Sequence, residues 1–288
     1  MRLGSLCSGI GGLELGVERA LGATTAWQAE IDPHASKVLV HRFPGVPNIG
    51  DVRDLTAMTP VDILTAGYPC QPFSTAGRRK GTDDPRHLWP AVHAAIAHLG
   101  PRLVVLENVR GHLTLGFDRV LGDLADIGYD AEWRIVRASD VGCCHQRARL
   151  FVAAHAADTD HIGCQHGSAW KRPVPTPGSG GAAADPSHVG RQRGGRARDR
   201  GTGPEDSSFG PYAGAVRRQE RWHGPAPEPT TDGRLNPAFV EWMMGYPAGW
   251  VTDVLDSRNA ALRCLGNAVV PQVAEAFCLG LLDGQAAA

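Results

Sequence analysis

The sequence contains no run of about 18 apolar residues, so nothing in it is expected to span a membrane. Its start, Met1-Arg2-Leu3-Gly4-Ser5-Leu6, lacks the apolar stretch and cleavage site of a signal peptide, and a cytoplasmic location is the expectation. Excess charge is also missing. Lys and Arg total 29 against 30 Asp and Glu, a formal net charge of −1, so any nucleic-acid surface must come from local clustering. Paired C-x-x-C motifs are absent. The seven cysteines (Cys7, Cys70, Cys143, Cys144, Cys164, Cys264 and Cys278) are odd in number and scattered, which argues against a disulfide framework and for reduced thiols. His161, Cys164, His166 and His188 stand at spacings that match no standard zinc site, and no metal is expected.

What is present is an alternation of two hydrophobic periods. Residues 3–6, 25–29, 61–66, 103–106 and 150–154 read as short buried strands. Between them, 13–21, 33–41, 88–99 and 117–127 carry helical spacing. Strand–helix alternation predicts an α/β fold with a mainly parallel sheet covered on both faces. The pattern breaks near Asp158, because residues 158–233 hold 14 Gly and 9 Pro among 76 positions, the composition of irregular chain. Helical spacing returns over 236–244, after Asn236-Pro237, and over 269–282. The expected division is a catalytic domain at 1–156, a smaller irregular region at 157–261, and a C-terminal segment at 262–288 that returns to the first domain.

Two motifs carry chemistry. Ser8-Gly9-Ile10-Gly11-Gly12 lies between a strand and a helix, where glycines let a ligand approach the backbone. Glu30 ends the next strand, near the position of a ribose-binding acid. This pattern alone equally serves a nicotinamide cofactor or a plain tight turn. The second motif, Gly67-Tyr68-Pro69-Cys70-Gln71-Pro72-Phe73-Ser74, is sharper. It puts Cys70 just past a strand end, the edge where α/β sheets gather catalytic groups, between two prolines that stiffen its backbone. A free cysteine is usually a small buried apolar group. The rigid Pro-Cys-Gln-Pro frame at a strand end favours a nucleophile instead.

The second motif resembles the catalytic segment of DNA cytosine-5 methyltransferases, and further blocks follow in that family's order. Residues 6–12 resemble the cofactor glycine motif, Glu30-Ile31-Asp32 the ribose-binding acid, and Gly50-Asp51-Val52 the segment that meets adenine. Glu107-Asn108-Val109, His145-Gln146-Arg147-Ala148-Arg149 and Gly266-Asn267-Ala268-Val269 resemble the later motifs. The resemblance implies a Rossmann-like S-adenosylmethionine-dependent sheet with an irregular target-recognition domain. It implies transfer of the S-adenosylmethionine methyl group to C5 of a cytosine flipped out of duplex DNA. Cys70 would attack ring C6, Glu107 would hold the N3 side, and Arg147 and Arg149 would grip the base carbonyl and phosphates. Cofactor contacts would come from Cys7, Ser8, Gly9, Gly11, Glu30, Ile31, Asp51, Val52, Pro69, Leu88 and Asn267. Ser74, Arg78, Arg79 and Lys80 would meet DNA from a lid over residues 71–86.

The chain departs from the family pattern at Ser5 (often Asp), Cys7 (usually an aromatic), His145 (usually Gln) and Ala268 (usually Ser). The partners implied are duplex DNA and, acting separately, a cognate restriction endonuclease; a monomer is expected. Three alternatives stay open. These are a tRNA cytosine-5 methyltransferase, a DNA-binding regulator with decayed activity, and a nicotinamide oxidoreductase, which leaves Pro69-Cys70-Gln71 without a purpose.

Overall fold

A computed structural model of the chain describes residues 1–69, 88–157 and 209–286. The lid segment, with Cys70, Ser74, Arg78, Arg79 and Lys80, lies outside the described residues, as does most of the irregular middle region with its histidines and Cys164.

Six strands form one sheet: β1 (Arg2–Leu6), β2 (Thr24–Ala29), β3 (Ile63–Ala66), β4 (Leu103–Val109), β5 (Tyr129–Val136) and β6 (Arg149–Ala156). Their order is β2-β1-β3-β4-β6-β5, with the first four parallel and β6 antiparallel to both its neighbours. Helices α1 (Gly12–Leu21), α2 (Pro33–Arg42), α3 (Trp89–Leu99) and α4 (Phe117–Asp126) cross between strands. The strands bury side chains on both faces, which is why they read as continuous apolar runs. Leu3, Ile63, Val105 and Phe151 pack into a core with residues of α1, α2 and the C-terminal helices. Leu6, Leu64, Leu106 and Leu150 pack into a second core with α3 and α4. The expected α/β architecture is thus a three-layer sandwich.

The chain runs from β1 outward to β2 and then crosses back to β3 on the other side of β1. That reversal opens a crevice at the carboxyl ends of β1 and β3, the general ligand position of open α/β sheets. Residues 7–11 and 67–69 both follow strands at this edge. Because β6 runs the other way, its first residue, Arg149, pairs with Val109 near the carboxyl end of β4. The reversal brings the Arg149 side to the same edge.

The sequence pattern placed β4 at 103–106, with Glu107 beyond its end; the strand continues to Val109 and Glu107 lies within it. Strand β5 was not foreseen. Asp130, Glu132 and Arg134 interrupt its apolar residues because it is an edge strand with a solvent-facing side. Also unforeseen are α5 (Ala213–His223), α7 (Arg258–Asn267) and the short hairpin β7 (Thr230–Thr231)–β8 (Arg234–Leu235). Helix α7 runs through the expected division between residues 261 and 262. The expected helices over 236–244 and 269–282 are α6 (Pro237–Met243) and α8 (Pro271–Ala286).

One stretch, Arg258–Leu282, is long and apolar enough by composition to cross a membrane, which the sequence reading did not expect. It consists of α7 and α8 with a break between them, and 56% of its most apolar window is buried within the fold. Its apolar side chains, among them Leu265, Val273, Phe277 and Leu281, belong to the first core.

Helix α1 meets α8 closely enough that only glycine fits at the crossing. A Cβ on Gly16 would stand 2.5 Å from the Ala274 Cβ and 2.5 Å from the Pro271 carbonyl oxygen. Gly16→Val is therefore expected to destabilise the fold by about 1–3 kcal/mol, read as a lower urea midpoint. An unchanged midpoint would refute this packing.

Candidate active site

The glycine turn after β1 is left-handed at Cys7 (φ 53°), Gly9 (φ 57°) and Gly11 (φ 86°). At Gly11 glycine is needed twice over, for the φ and because a Cβ would stand 2.3 Å from the Phe43 ring. Gly9 differs: among the described residues nothing lies within 4 Å of the position its Cβ would take. Its backbone N–H donates to Glu30 Oε2 at 2.8 Å, and Glu30 Oε1 accepts from the Asp32 N–H at 2.7 Å. Burial raises the Glu30 carboxyl above its ordinary range, against those backbone donors. Ile31, next in the chain, is 69% exposed.

Asn48 ties this acid to the next motif, a role the sequence reading missed. Its Oδ1 accepts from the Glu30 N–H at 3.0 Å and the Gly50 N–H at 3.1 Å, while its Nδ2 donates to the Glu30 carbonyl at 3.0 Å. Asp51 follows at the surface, paired with Arg53 at 3.2 Å. Val52 is buried in the second core and Leu88 packs half-buried against it. Trp250 covers the other side of the turn, its Nε1 donating to the Ile10 carbonyl at 2.9 Å. The Trp250 carbonyl in turn accepts from Arg42 Nε at 2.8 Å, so α2 holds the brace. Polar pairings of this kind have no sequence period, and only the isolated tryptophan and asparagine hinted at them.

These residues fit an adenosyl group: open backbone at Gly9, an acid facing it, an exposed apolar side chain at Ile31 and a surface carboxylate at Asp51. Asn267, the last residue of α7, is exposed.

Strand β3 leads to Gly67, Tyr68 and Pro69, which precede Cys70 in the chain. A Cβ placed on Gly67 would lie 3.8 Å from the Cys7 carbonyl oxygen, 3.8 Å from Glu107 Oε2 and 3.9 Å from Val269 Cγ2. The approach to Cys70 is therefore flanked by the glycine turn, the acid on β4 and the segment after α7. Asn108 Nδ2 donates to the Tyr68 carbonyl at 3.0 Å, which ties β4 to the residue before Pro69. Tyr68 is itself buried, its hydroxyl 3.1 Å from His112 Nε2.

Glu107 Oε1 pairs with Arg149 Nε at 3.0 Å. Burial pushes the Glu107 carboxyl up to about 7, although Arg149 and Arg147 both pull it down. A carboxyl raised in this way is suited to both donating and accepting a proton. Arg147 adopts φ 31°, a left-handed conformation that side chains rarely take. One of its terminal nitrogens donates to the carbonyls of Gly266 (2.8 Å) and Ala268 (2.7 Å). Burial and the neighbouring Arg149 lower its pKa to about 10. His145 lies within 3.0 Å of the Met243 carbonyl, so the departure at that position is packed against α6.

All five described cysteines have their thiols raised by burial, Cys7 to about 12 with added repulsion from Glu30 and Asp51. None is an activated nucleophile by environment.

With this geometry in hand, three comparisons bear on the chain. The profile of the C-5 cytosine-specific DNA methylases matches residues 1–177. The chain belongs to that family. It is 38% identical over 159 residues to the Type II methyltransferase M.NaeI of Lentzea aerocolonigenes, covering 52% of this chain and 38% of that protein. It is 38% identical over 156 residues to M.NgoMIV of Neisseria gonorrhoeae, covering 51% and 50%. The matched part thus spans half or less of these relatives' length. The fold is similar to that of the S. pombe Dnmt2 methyltransferase, with a TM-score of 0.62 at 17% identity over 99% of both chains. It is also similar to the Entamoeba histolytica methyltransferase EhMeth, with a TM-score of 0.60 at 17% identity over 99% of this chain and 98% of that one.

A second buried carboxyl, Glu14, sits under the glycine turn beside Gln28, fully enclosed, and burial pushes it up to about 7. A carboxyl raised in the folded state stabilises below its unfolded value near 4.5 and loses that contribution as pH rises through about 7. The protein is therefore expected to be less stable at pH 8.5 than at pH 5. Glu14→Gln should recover on the order of 2–3 kcal/mol of the loss, as one pKa unit is about 1.4 kcal/mol. Urea titrations at the two pH values read this; the same pH slope in wild type and variant would contradict it.

Proposed function

We propose that this protein is a DNA cytosine-5 methyltransferase that uses S-adenosylmethionine, with Cys70 as its nucleophile. The observation that carries the reading is the convergence at Gly67: the Cys7 carbonyl, the Glu107 carboxyl and Val269 all lie within 4 Å of its Cβ direction. Family membership supplies the chemistry to which that convergence is suited.

Cytosine C5 is too weak a nucleophile to take a methyl group unaided. Addition of the Cys70 thiolate to C6 makes the ring an enamine, with its electrons directed to C5. Negative charge would collect at N3 as the C6–S bond forms. Glu107, with its carboxyl raised to about 7, is suited to place a proton there. Arg149, held against Glu107, is suited to the adjacent carbonyl oxygen. Bound S-adenosylmethionine supplies an electrophilic methyl group on a sulfonium. Once C5 has gained the methyl, loss of the C5 proton to a base and expulsion of the Cys70 thiolate restore the aromatic ring.

Glu30 would take the ribose hydroxyls, Ile31 and Leu88 the faces of adenine and Asp51 its amino group. Cys7, Ser8, Gly9, Gly11, Val52, Pro69 and Asn267 would complete the groove. The target base must leave the duplex to reach this crevice, costing a few kcal/mol of unstacking. Ser74, Arg78, Arg79 and Lys80 would meet the DNA backbone, and the irregular middle region would read the sequence. A separately acting restriction endonuclease is the partner suggested by relatives named Type II methyltransferases.

Labelled methyl transfer from S-adenosylmethionine tests the reading. Duplex DNA is expected to accept label and tRNA is not. Glu107→Gln should reduce incorporation about 100-fold or more, the scale of a lost general acid. Label in tRNA alone would reassign the substrate, and transfer unaffected by Glu107→Gln would remove the acid from the mechanism.

A further inference from the structure

Arg147 is the residue whose surroundings fit its family-derived role least. A phosphate-gripping arginine presents its donors to solvent, whereas Arg147 is half-buried with one terminal nitrogen bonded to two carbonyls. Those carbonyls belong to Gly266, in the last turn of α7, and Ala268, just beyond it. Helix ends leave carbonyls unpaired and carry partial negative charge, so a cation there both satisfies and neutralises them. The next carbonyl, Val269, accepts from the buried Tyr246 hydroxyl at 2.8 Å. Residues 266–269 are thus pinned from two sides, with Asn267 between the two carbonyls that Arg147 holds. Arg147 lies two residues along the chain from Arg149. Its Nε is buried and has no hydrogen-bond partner among the described residues.

We propose that Arg147 is a positioning residue that caps α7 and thereby sets Asn267 in the cofactor groove, rather than a ligand of DNA phosphate. This rests on the S-adenosylmethionine groove assigned above. The backbone at position 147 is left-handed, and from it the side chain reaches the C-terminal segment. Both carbonyls bond one terminal nitrogen; a lysine ammonium has donors enough for both but sits on a flexible stem, so it is expected to hold them less rigidly than the guanidinium.

Calorimetric titration of the full chain with S-adenosylmethionine, without DNA, tests this. Arg147→Ala is expected to weaken binding about tenfold, and Arg147→Lys by less. If Arg147 acts through Asn267, Asn267→Ala in the Arg147→Ala background should cost far less than in wild type, a non-additive cycle. Affinity for duplex DNA, and its salt slope, should stay within about twofold of wild type, because no phosphate contact is lost. Additive effects, unchanged S-adenosylmethionine binding, or a DNA salt slope reduced by about one in Arg147→Ala would each overturn the proposal. Should Arg147→Ala fail to fold, Arg147→Lys carries the same cycle, and wild-type affinity in that variant overturns it. A wild-type chain that binds no S-adenosylmethionine would instead fail the functional reading itself.

Discussion

The ion pair between Glu107 and Arg149 is the contact on which the account of the site depends. It forms because β6 runs antiparallel in an otherwise parallel run of strands, so the start of one strand meets the end of another. Removing a carboxylate and a guanidinium from water is costly, and the pairing offsets that cost only in part. The residue of that imbalance appears as a glutamate whose carboxyl is pushed up to about 7. Burial alone raises Glu14 as far; what sets Glu107 apart is that its raised carboxyl lies at the carboxyl edge of the sheet, beside Gly67.

Around this pair the fold assembles three segments distant in sequence. Asn108 holds the Tyr68 carbonyl, Glu30 holds the Gly9 amide, and Trp250 holds the Ile10 carbonyl. Each contact fixes a loop at the carboxyl edge of the sheet from a neighbouring element. The Glu241 carboxylate does the same for the loop carrying Trp250, accepting from the N–H groups of Gly249, Val251 and Thr252. Rigidity at this edge comes from polar contacts that close onto backbone, while the two apolar cores hold the helices in place.

Much of the parallel half was legible in the sequence because its strands are buried on both faces and its helices are amphipathic. Strand β5 was not, since its charged residues mask the apolar ones. Helix α7 escaped notice because its Arg258, Asn259 and Arg263 dilute a short run of apolar positions. Glu30 was found by its place at a strand end, and Glu107 and Arg149 by the resemblance of their motifs to the family's. Asn48 was not, because a side chain that bonds a distant backbone leaves no local pattern. For Arg147 the motif located the residue, but its contacts with Gly266 and Ala268 depend on a helix that the sequence did not reveal.

The most direct measurement of the central chemistry uses duplex DNA in which the target cytosine is replaced by 5-fluorocytosine. Fluorine at C5 cannot leave as a proton does, so a sulfur–C6 adduct persists after methyl transfer. Incubation with S-adenosylmethionine followed by denaturing mass spectrometry is expected to find methylated DNA attached to the peptide containing Cys70, and none with Cys70→Ser. A wild-type enzyme that methylates ordinary DNA yet forms no such adduct, or an adduct retained by Cys70→Ser, would contradict the account.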